Sequence, residues 1–457
     1  MAEEREAAFG LAHFRRGGKV RRLAVIGAGY VGLVSAACFA DFGNEVVCVD
    51  TDAARIDGLR RLKMPFYEPG LLDLVRRNTA ESRLTFSTSV ADAVARAEVV
   101  FIAVGTPASR SGEADLSGVR AVARQIAANM RSYKLIVQKS TVPVGTGAMV
   151  RSIVRRYCRK GVSFDVASNP EFLREGSAIE NFMRPDRVVI GTWSKKAESM
   201  LSEIYAPLYL IETPMVKTTV ETAELIKYAA NVFLATKVSF INEMARLCET
   251  LGADVQVVAK AVGLDRRIGP KFLHAGPGIG GSCLPKDTAA LVRFAEAAGH
   301  RLLIPRAVQA INKSQRTFVL EKIEKALGGL KGKTVGVLGL SFKPETDDVR
   351  DSPAVYVTKA MLSRGARVRV FDPAAMQAAR ALLPRADYCK NAYEVCRGAS
   401  GLVIFTEWNE FRRLDLARVK GLLKRPVMVD LRNVYEPDEL RAMGFKYFGV
   451  GRPHKTG

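Results

Sequence analysis

Histidine is scarce in this sequence of 457 residues, and its cysteines are scattered. There are four histidines and seven cysteines, and no C-x-x-C pair occurs. An odd number of dispersed cysteines argues against a disulfide framework, and the missing Cys/His spacing argues against a structural zinc site. We therefore predict no metal. Because cysteines remain reduced in the cytoplasm, we also predict a cytoplasmic protein.

Long apolar runs are rare as well, and the one run of membrane-span length is interrupted. Residues 23–40 are uncharged and follow a cluster of arginines, as in a signal peptide or a membrane anchor. Glycines at 27, 29 and 32 break this run, however, and an acidic residue ends the next apolar segment. The sequence therefore predicts no membrane partner, and residues 1–19 are predicted to be a tail.

Acidic residues are outnumbered by basic ones. The chain has 69 Lys and Arg against 47 Asp and Glu, a formal net charge of +22. The basic residues are spread along the whole chain, and no basic run interleaves with aromatic residues, so the pattern does not favour nucleic-acid binding. A basic surface also attracts small anions. We predict an anionic small-molecule substrate and no nucleic-acid partner.

The order of local patterns predicts the fold class. The chain opens with a β-branched apolar run, a glycine-rich turn, a helical pattern and a second apolar run that ends at Asp50. This is a βαβ unit, which implies a parallel sheet. A similar pattern starts again at Lys333, and residues 219–251 between them contain no Gly or Pro. We predict an α/β protein with two Rossmann-like, doubly wound domains joined by a long central helix.

The predicted domain boundaries follow from these patterns. They are a tail at 1–19, a first Rossmann-like domain at 20–215, a central helical region at 216–325 and a second Rossmann-like domain at 326–457.

The first glycine turn has the context of a dinucleotide site. Gly27, Gly29 and Gly32 follow a predicted strand and open a predicted helix, and Asp50 comes about 20 residues later. Glycines let the backbone approach a pyrophosphate, while a helix N-terminus supplies N–H donors. A carboxylate at the end of the second strand accepts hydrogen bonds from ribose hydroxyls and repels a 2′-phosphate. The turn therefore predicts NAD as the cofactor.

The second glycine turn is different. Gly336 and Gly339 are followed by bulkier residues, in the segment SFKP at residues 341–344. A dinucleotide fits poorly there, whereas an aromatic ring and a lysine suit a base and a phosphate. The spacing alone is equally consistent with a nucleotide other than the cofactor and with a purely structural turn.

One cysteine stands in an unusual setting. Cys283 follows a glycine-rich loop, and Pro285 stands where the first turn of a helix is predicted to begin. The positive end of a helix stabilises a thiolate, and Lys286 adds to that effect. The glycines leave room for a substrate carbon. We predict that Cys283 is a nucleophile and that the other six cysteines are packing residues.

Seven separated segments of the chain, in this order, carry a family resemblance. They are GAGYVG (27–32), FYEPGL (66–71), VGTP (104–107), STVPVGT (140–146), NPEFLREG (169–176), GGSCLPKD (280–287) and SFKP (341–344). Together they closely resemble the UDP-glucose/GDP-mannose dehydrogenase family from about residue 20 to 450.

The resemblance implies a four-electron oxidation. The C6 alcohol of UDP-glucose would lose a hydride to NAD, a cysteine would add to the aldehyde, and a second NAD would take a hydride to leave a thioester. Water would then release UDP-glucuronate, a precursor for polysaccharide biosynthesis. It also implies a homodimer, which would form through the long helix.

The same resemblance assigns the site residues. The implied catalytic residues are Thr141, Glu171, Lys227, Asn231, Cys283 and Asp287. The implied cofactor contacts are Gly27, Gly29, Tyr30, Val31, Gly32, Asp50, Arg55, Thr106, Thr141, Glu175, Lys286 and Arg350. The implied substrate contacts are Glu171, Phe172, Leu173, Lys227, Asn231, Arg267, Phe272, Leu273, Gly276, Gly280, Phe342, Lys343 and Arg432. Of these, Arg267 and Arg432 match arginines that can reach the substrate, one or both of them across a subunit boundary.

Single residues in these sets are weak signals without the resemblance. Lys227 and Asn231 share one face of a helix because they are four residues apart, yet Lys227 alone reads as a solvated lysine. Glu171 or Asp287 alone fits a surface carboxylate or a helix cap equally well.

Three other functions remain as alternatives. The same chemistry could act on GDP-mannose or a UDP-N-acetylhexosamine, because the sugar is not readable from one sequence. A two-electron hydroxyacid dehydrogenase would use Lys227 but would not need Cys283. A non-enzymatic regulatory module would be expected to lose the catalytic residues, all of which are present.

Overall fold

The computed structural model describes residues 20–107, 109 and 112–453, so the tail predicted at 1–19 lies outside the described residues. The chain forms two compact units, Met1–Ala229 and Ala230–Gly457. The boundary between the units falls within a long helix. The predicted division into four parts stays a prediction.

The first unit alternates strands and helices. Its strands are β1 (Arg22–Ile26), β2 (Glu45–Val49), β3 (Leu84–Ser87), β4 (Val99–Ile102), β5 (Lys134–Gln138), β6 (Phe164–Ser168), β7 (Val188–Thr192) and β8 (Met215–Thr218). Its helices are α1 (Tyr30–Asp41), α2 (Ala53–Arg60), α3 (Leu71–Ala80), α4 (Val90–Arg96), α5 (Ser117–Asn129), α6 (Thr146–Tyr157), α7 (Ala178–Met183) and α8 (Lys195–Ile204). A 3₁₀ helix covers Ala206–Ile211.

These strands form one sheet with the order β3-β2-β1-β4-β5-β6-β7-β8. The first six positions follow the Rossmann order. All neighbours are parallel except β6 and β7, which pair antiparallel. Parallel strands need a long crossover, whereas residues 169–187 return the chain directly and contain only the short helix α7. The predicted parallel sheet is therefore confirmed except at this one pair, where the prediction is wrong.

Helices cover both faces of this sheet, as a doubly wound fold requires. On β1, Leu23 and Val25 pack into one hydrophobic core, and Ala24 and Ile26 pack into the other. This alternation arises because successive side chains of a strand point to opposite faces. A strand buried on both faces reads as a continuous apolar run, which is why β1 could be predicted from the sequence.

The long helix α9 (Val220–Leu251) spans the boundary between the units. It contains no Gly or Pro over its 32 residues and ends before Gly252, whose φ is +74°. Glycine adopts this left-handed conformation without strain, so it ends helices well. The predicted helix at 219–251 is confirmed to within one residue at its start.

The second unit repeats the alternation. Its strands are β9 (Thr334–Leu338), β10 (Arg367–Phe371), β11 (Asp387–Tyr388), β12 (Leu402–Ile404), β13 (Val427–Asp430) and β14 (Lys446–Gly449). Its helices after α9 are α10 (Val255–Leu264), α11 (Leu284–Ala297), α12 (Leu303–Leu327), α13 (Pro353–Ser363), α14 (Met376–Arg380), α15 (Ala392–Cys396), α16 (Asn409–Arg412), α17 (Leu416–Leu422) and α18 (Pro437–Ala442).

The six strands of this unit are all parallel, with the order β11-β10-β9-β12-β13-β14. This is again the Rossmann order. On β12, Val403 enters one core while Leu402 and Ile404 enter the other. The predicted fold class, two Rossmann-like domains with a long central helix, is confirmed.

The described residues contain neither a membrane-spanning helix nor a cluster of metal-binding side chains. No helix in this part of the chain is long and apolar enough to cross a lipid bilayer. No group of three or more His, Cys, Asp or Glu side chains within it is arranged to hold a metal ion.

Candidate active site

The glycine turn between β1 and α1 has the shape of a dinucleotide cradle. Gly27 has a φ of +107°, and a Cβ added there would lie 2.6 Å from the carbonyl oxygen of Ala103. A Cβ on Gly32 would collide with the carbonyl oxygen of Gly27, whereas a Cβ on Gly29 would meet nothing within 4 Å. The first and third glycines are therefore needed for packing, and the second leaves open space where a pyrophosphate approaches the backbone.

Asp50 lies at the carboxyl end of β2, beside this turn. Its Oδ2 accepts hydrogen bonds from the backbone N–H of Ala28 at 2.8 Å and from Nη1 of Arg55 at 2.9 Å, and its Oδ1 accepts from the N–H of Asp52 at 3.0 Å. Burial opposes the ionised form of Asp50, but these donors prevail and lower its pKa. The ionised carboxylate at this position suits the ribose of NAD and disfavours a 2′-phosphate.

Residues 169–176, the 169–176 loop, connect β6 to α7 and hold a buried ion pair. Nζ of Lys227, near the start of α9, lies 3.0 Å from Oε1 of Glu171, and both side chains are at least nine-tenths buried. The other oxygen of Glu171 accepts a hydrogen bond from the N–H of Leu173 at 2.5 Å. Removing one member of such a pair would leave the other charge buried without a partner, which is strongly unfavourable. Each of the two residues therefore holds the other in place.

Phe172 lies next to this pair. The guanidinium of Arg187 stacks over its ring at 3.6 Å from the ring centre, and Nζ of Lys227 lies 5.3 Å from the same centre. Leu173 packs against the hydrophobic core that contains Leu23 and Val25 of β1. The structure therefore brings together Glu171, Phe172 and Lys227, three of the predicted substrate contacts.

The segments VGTP and STVPVGT meet at the ends of β4 and β5. Oγ1 of Thr106 donates to the carbonyl oxygen of Thr141 at 2.8 Å, and Oγ of Ser140 donates to the carbonyl oxygen of Val104 at 2.6 Å. The carboxyl ends of parallel strands are where doubly wound sheets bind their ligands. Thr106 and Thr141 are thus adjacent, as expected for residues of one site.

Sequence reasoning missed Lys139, which lies under the 169–176 loop. Its Nζ donates to Oδ1 of Asn169 at 2.9 Å and to the hydroxyl of Tyr205 at 3.1 Å. Lys139 is 3% exposed, and burial lowers its pKa to about 7. The sequence feature that could have indicated Lys139 is its position directly before the segment STVPVGT.

A second missed residue is Glu224, one turn before Lys227 on α9. Its two carboxylate oxygens accept hydrogen bonds from the N–H groups of Gly145 and Gly147, each at 2.7 Å. These donors lie at the start of α6, where helix N–H groups lack partners within the helix. Burial raises the pKa of Glu224 to about 7. Glu224 thus anchors α9 to the segment that contains Thr141.

In the second unit, Cys283 is the exposed cysteine at the start of α11. The other six cysteines of the chain are buried or partly buried. Cys283 is the residue that precedes the first turn, Pro285 lies within that turn, and the helix runs to Ala297. Oγ of Ser282 lies 3.5 Å from its Sγ. The predicted helix start is confirmed, and it places the thiol at the positive end of the helix.

A buried polar cluster lies one turn further along α11. The carboxylate of Asp287, 1% exposed, accepts a hydrogen bond from Nδ2 of Asn231 at 2.6 Å and lies 2.6 Å from Nζ of Lys286. The backbone N–H of Asp287 donates to the carbonyl oxygen of Cys283 at 2.8 Å. The structure therefore brings together Asn231, Asp287, Lys286 and Cys283, four residues that the resemblance assigns to the site.

The glycine-rich loop before Cys283 is held against the second glycine turn. A Cβ on Gly281 would lie 2.8 Å from two ring carbons of Phe342, and one on Gly280 would lie 2.9 Å from its Cβ. Arg432 donates from Nη2 to the carbonyl oxygen of Phe342 at 2.8 Å, and its Nη1 lies 3.2 Å from a Cβ built on Gly276. Gly276, Gly280, Phe342 and Arg432 thus share one side of the second unit.

Asp372, the acidic residue beside the second glycine turn, forms hydrogen bonds within that turn. Oδ2 of Asp372 accepts hydrogen bonds from the N–H groups of Leu340 at 2.7 Å and Ser341 at 3.0 Å, and Asp372 is 1% exposed. Unlike Asp50, this carboxylate closes its own turn and is not presented to a ribose. The turn therefore lacks the features of a second dinucleotide site.

Several of the predicted site residues lie outside these clusters. Arg267 is exposed and pairs with Asp265, and Arg350 is exposed and pairs with Asp348. Leu273 is buried in the core of the second unit. Phe272 has a φ of +66°, an uncommon conformation for a bulky residue.

The remaining predicted residues are Tyr30, Val31, Glu175 and Lys343. Tyr30 and Val31 open helix α1. Glu175 is partly buried in the 169–176 loop, and Nζ of Lys343 lies 5.7 Å from the ring centre of Phe342.

Comparison with known proteins decides the family. Residues 21–209 match the NAD binding domain of the UDP-glucose/GDP-mannose dehydrogenase family, residues 221–314 match its central domain, and residues 336–437 match its UDP binding domain. The chain belongs to the UDP-glucose/GDP-mannose dehydrogenase family. The first of these matches also confirms NAD as the cofactor.

Family members of known activity cover almost the whole chain. A UDP-glucose 6-dehydrogenase of Rhizobium meliloti is 52% identical over 436 residues, which cover 94% of this chain and 100% of that protein. A UDP-glucose 6-dehydrogenase of Bacillus subtilis is 48% identical, covering 96% of this chain and 95% of that protein.

Solved structures of the family agree in fold. A UDP-glucose dehydrogenase of Pyrobaculum islandicum superposes with a TM-score of 0.89 at 43% identity, covering 96% of this chain and 99% of that one. A UDP-D-ManNAc dehydrogenase of Pyrococcus horikoshii superposes with a TM-score of 0.83 at 26% identity, covering 94% of this chain and 99% of that one.

Proposed function

We propose that this chain oxidises the C6 alcohol of UDP-glucose to a carboxylate, giving UDP-glucuronate. The reaction consumes two NAD and one water and releases two NADH. The observation that carries the proposal is the exposed thiol of Cys283 at a helix start, one turn from the buried Asn231–Asp287 pair. A dehydrogenase that stops at an aldehyde or ketone needs no such thiol.

Cys283 would act as the nucleophile of the second half of the reaction. After the alcohol has lost a hydride and a proton, Sγ adds to the aldehyde carbon and the thiol proton passes to the aldehyde oxygen, giving a thiohemiacetal. Loss of the second hydride together with the hydroxyl proton gives a thioester, and water then breaks the C–S bond to release the acid and restore the thiol. NAD, held at the glycine turn, supplies the chemistry of accepting both hydrides.

Lys227 and Asn231 would stabilise negative charge on the substrate oxygen. An ammonium group held in place by a buried carboxylate can do this without reorganising during the reaction. The contact of Lys227 with Glu171 supports this role. Glu171 and Thr141 would position water, and Asp287 would help to activate it, because its carboxylate is buried and held by Asn231.

The second unit would bind the UDP part of the substrate. Phe342 offers an aromatic surface beside Gly280 and Gly281, and Arg432 is fixed next to it through hydrogen bonds to backbone oxygens. Lys343, Arg267 and Arg432 would supply the positive charge that a diphosphate requires. The close packing around Gly280 explains why a side chain there would displace Phe342.

The choice of sugar is supported by the relatives. Those named for UDP-glucose are 52% and 48% identical to this chain, whereas the UDP-D-ManNAc dehydrogenase of known structure is 26% identical. The test is the initial rate of NADH formation on UDP-glucose, UDP-N-acetylmannosamine and GDP-mannose, with Cys283→Ser as a background control. We expect kcat/KM for UDP-glucose to exceed the others by about 100-fold. An equal or higher value for another sugar would refute the choice.

We further propose that the protein is a homodimer formed through α9 and α10. Phe233, Phe240 and Leu247, spaced by seven residues on α9, are 65%, 46% and 48% exposed. On α10, Val257 and Leu264 are 65% and 75% exposed. Exposed apolar residues that recur along a helix in this way are typical of a protein interface, and a second copy of the same chain would cover them.

We place this reaction in the cytoplasm, because the proposed thiol chemistry requires Cys283 to stay reduced. None of the seven cysteines, all of which lie within the described residues, forms a disulfide, which supports that compartment. The product, UDP-glucuronate, would supply polysaccharide biosynthesis.

A further inference from the structure

The segment FYEPGL buries a carboxylate that has no role in the reaction described above. Glu68 is 6% exposed. Its Oε2 accepts hydrogen bonds from the N–H of Gly176 at 2.6 Å and from the phenol of Tyr30, and its Oε1 accepts from the N–H of Ala178 at 2.7 Å. Three donors from two distant parts of the chain therefore converge on one side chain.

One of these donors belongs to the cofactor turn. Tyr30 is the first residue of α1, where the backbone N–H groups of a Rossmann helix meet the pyrophosphate. Its ring packs on Phe66, with ring centres 4.9 Å apart. Burial, with a further contribution from Glu68, raises the pKa of Tyr30, so its hydroxyl remains a donor.

The other two donors belong to the 169–176 loop and the helix after it. Gly176 ends the loop with a φ of +79°, and Ala178 begins α7. The opposite end of the same loop carries Glu171, which pairs with Lys227. Glu68 therefore fixes the end of the loop that lies away from the ion pair.

We propose that Glu68 is a positioning residue that couples cofactor binding at Tyr30 to the order of the 169–176 loop. Binding of NAD to the first turn of α1 restrains Tyr30, Tyr30 restrains the Glu68 carboxylate, and the carboxylate restrains Gly176. Because coupling between two ligands is reciprocal, an ordered loop also favours cofactor binding. This inference rests on the proposed function, since it takes the loop to be part of the substrate site.

The residue type is specific to this role. A carboxylate only accepts hydrogen bonds, and both of its oxygens face backbone N–H donors. In Glu68→Gln one of these oxygens becomes an NH₂ group, which cannot accept from an N–H. Tyr30→Phe removes only the hydroxyl group of Tyr30 and leaves both backbone hydrogen bonds to Glu68 in place.

The first test is hydrogen–deuterium exchange of the peptide that covers residues 171–178, with and without NADH. In the parent chain we expect NADH to slow exchange by about fivefold or more. In Tyr30→Phe and Glu68→Gln we expect NADH to have less than half that effect. Tyr157→Phe and Glu81→Gln are exposed controls that should behave as the parent does.

This exchange experiment requires no sugar nucleotide, so it separates this inference from the proposed function. A parent loop that does not respond to NADH would overturn the coupling, and so would an unchanged response in Tyr30→Phe. Tyr30→Phe keeps the buried carboxylate satisfied by two N–H groups, so the test remains decisive even where Glu68→Gln fails to fold.

The second test measures the dissociation constant of UDP-glucose with and without saturating NADH, a pair that cannot react. We expect the ratio of the two constants to differ from one by about fivefold or more in the parent and to approach one in Tyr30→Phe. A purely structural role for Glu68 would lower the melting temperature and leave this ratio unchanged. If UDP-glucose does not bind to the parent at all, the proposed function fails, and the exchange experiment alone decides whether NADH orders the 169–176 loop.

Discussion

At the scale of single residues, three charged side chains around the 169–176 loop are buried. Lys139, Glu171 and Lys227 are each at most 6% exposed. Charged residues are rarely buried unless they are paired. Glu171 and Lys227 compensate each other, whereas Lys139 is held by neutral oxygens of Asn169 and Tyr205.

This difference predicts how stability depends on pH. The pKa of Lys139 is about 7 in the folded chain against an ordinary value of 10.5. Above pH 7 the unfolded chain therefore binds a proton that the folded chain has released, and stability rises with pH by up to about 1.4 kcal/mol per unit. Lys139→Met lacks this contribution, so the parent should gain about 2 kcal/mol on the variant between pH 7 and pH 9.

Urea unfolding of both chains at pH 7, 8 and 9 measures this gain. Lys195→Met, which changes a lysine that is 93% exposed, is the control and should follow the parent at every pH. Parallel curves for the parent and Lys139→Met would contradict the low pKa of Lys139.

The sequence showed part of this group. Glu171 and Lys227 were predicted through the family resemblance, not from their spacing. Lys139 was missed because a lysine at a strand end normally extends into solvent, and its partners are 30 and 66 residues away in the chain. Contacts over such separations leave no periodic pattern in one sequence.

At the scale of secondary structure, the start of α9 is set by two close approaches. A Cβ built on Gly191 of β7 would lie 2.5 Å from Cβ of Ala223 and 2.6 Å from the carbonyl oxygen of Thr219. A Cβ on Gly147 of α6 would collide with Val220. The first turns of α9, which carry Lys227, therefore rest on positions that admit no side chain.

Gly191→Ala tests this packing. The added methyl group meets the helix backbone, which cannot move independently, so we expect a loss of about 1–3 kcal/mol in the free energy of unfolding. The matched control is Gly58→Ala on α2, where the nearest atom is 3.5 Å away. Alanine should stabilise that helix by up to about 1 kcal/mol. Equal stability of the two variants in urea unfolding would contradict the tight contact.

The elements themselves were predictable to different degrees. β1 and α9 were predicted because a buried strand and a long helix have distinct patterns over many residues. The antiparallel pairing of β6 and β7 was not, because strand direction depends on the path of residues 169–187 and not on the composition of either strand. The internal use of Asp372 was also hidden, since its position after β10 matches that of Asp50 after β2.

At the scale of the whole molecule, the proposed dimer depends on the exposed residues of α9. Phe240→Asp places a charge in the middle of this apolar surface, and burying an unpaired charge is strongly unfavourable. We expect the parent to sediment at about twice its mass of 49.9 kDa. Phe240→Asp should sediment as a monomer at micromolar concentration.

Leu382→Asp is the control for this experiment, because Leu382 is a similarly exposed leucine of the second unit that lies outside α9 and α10. It should leave the dimer intact. A monomeric parent, or a Phe240→Asp variant that remains dimeric, would rule out this surface as the interface.

The central claim is that one chain carries out both oxidations, the second of them on an intermediate bound to Cys283. Its most direct test is the number of NADH molecules formed per UDP-glucose consumed, measured at completion for the parent, for Cys283→Ser and for the control Cys158→Ser. The account predicts two in the parent and in the control, with turnover abolished or stalled in Cys283→Ser. One NADH per substrate in the parent, or two in Cys283→Ser at the rate of the parent, would contradict it.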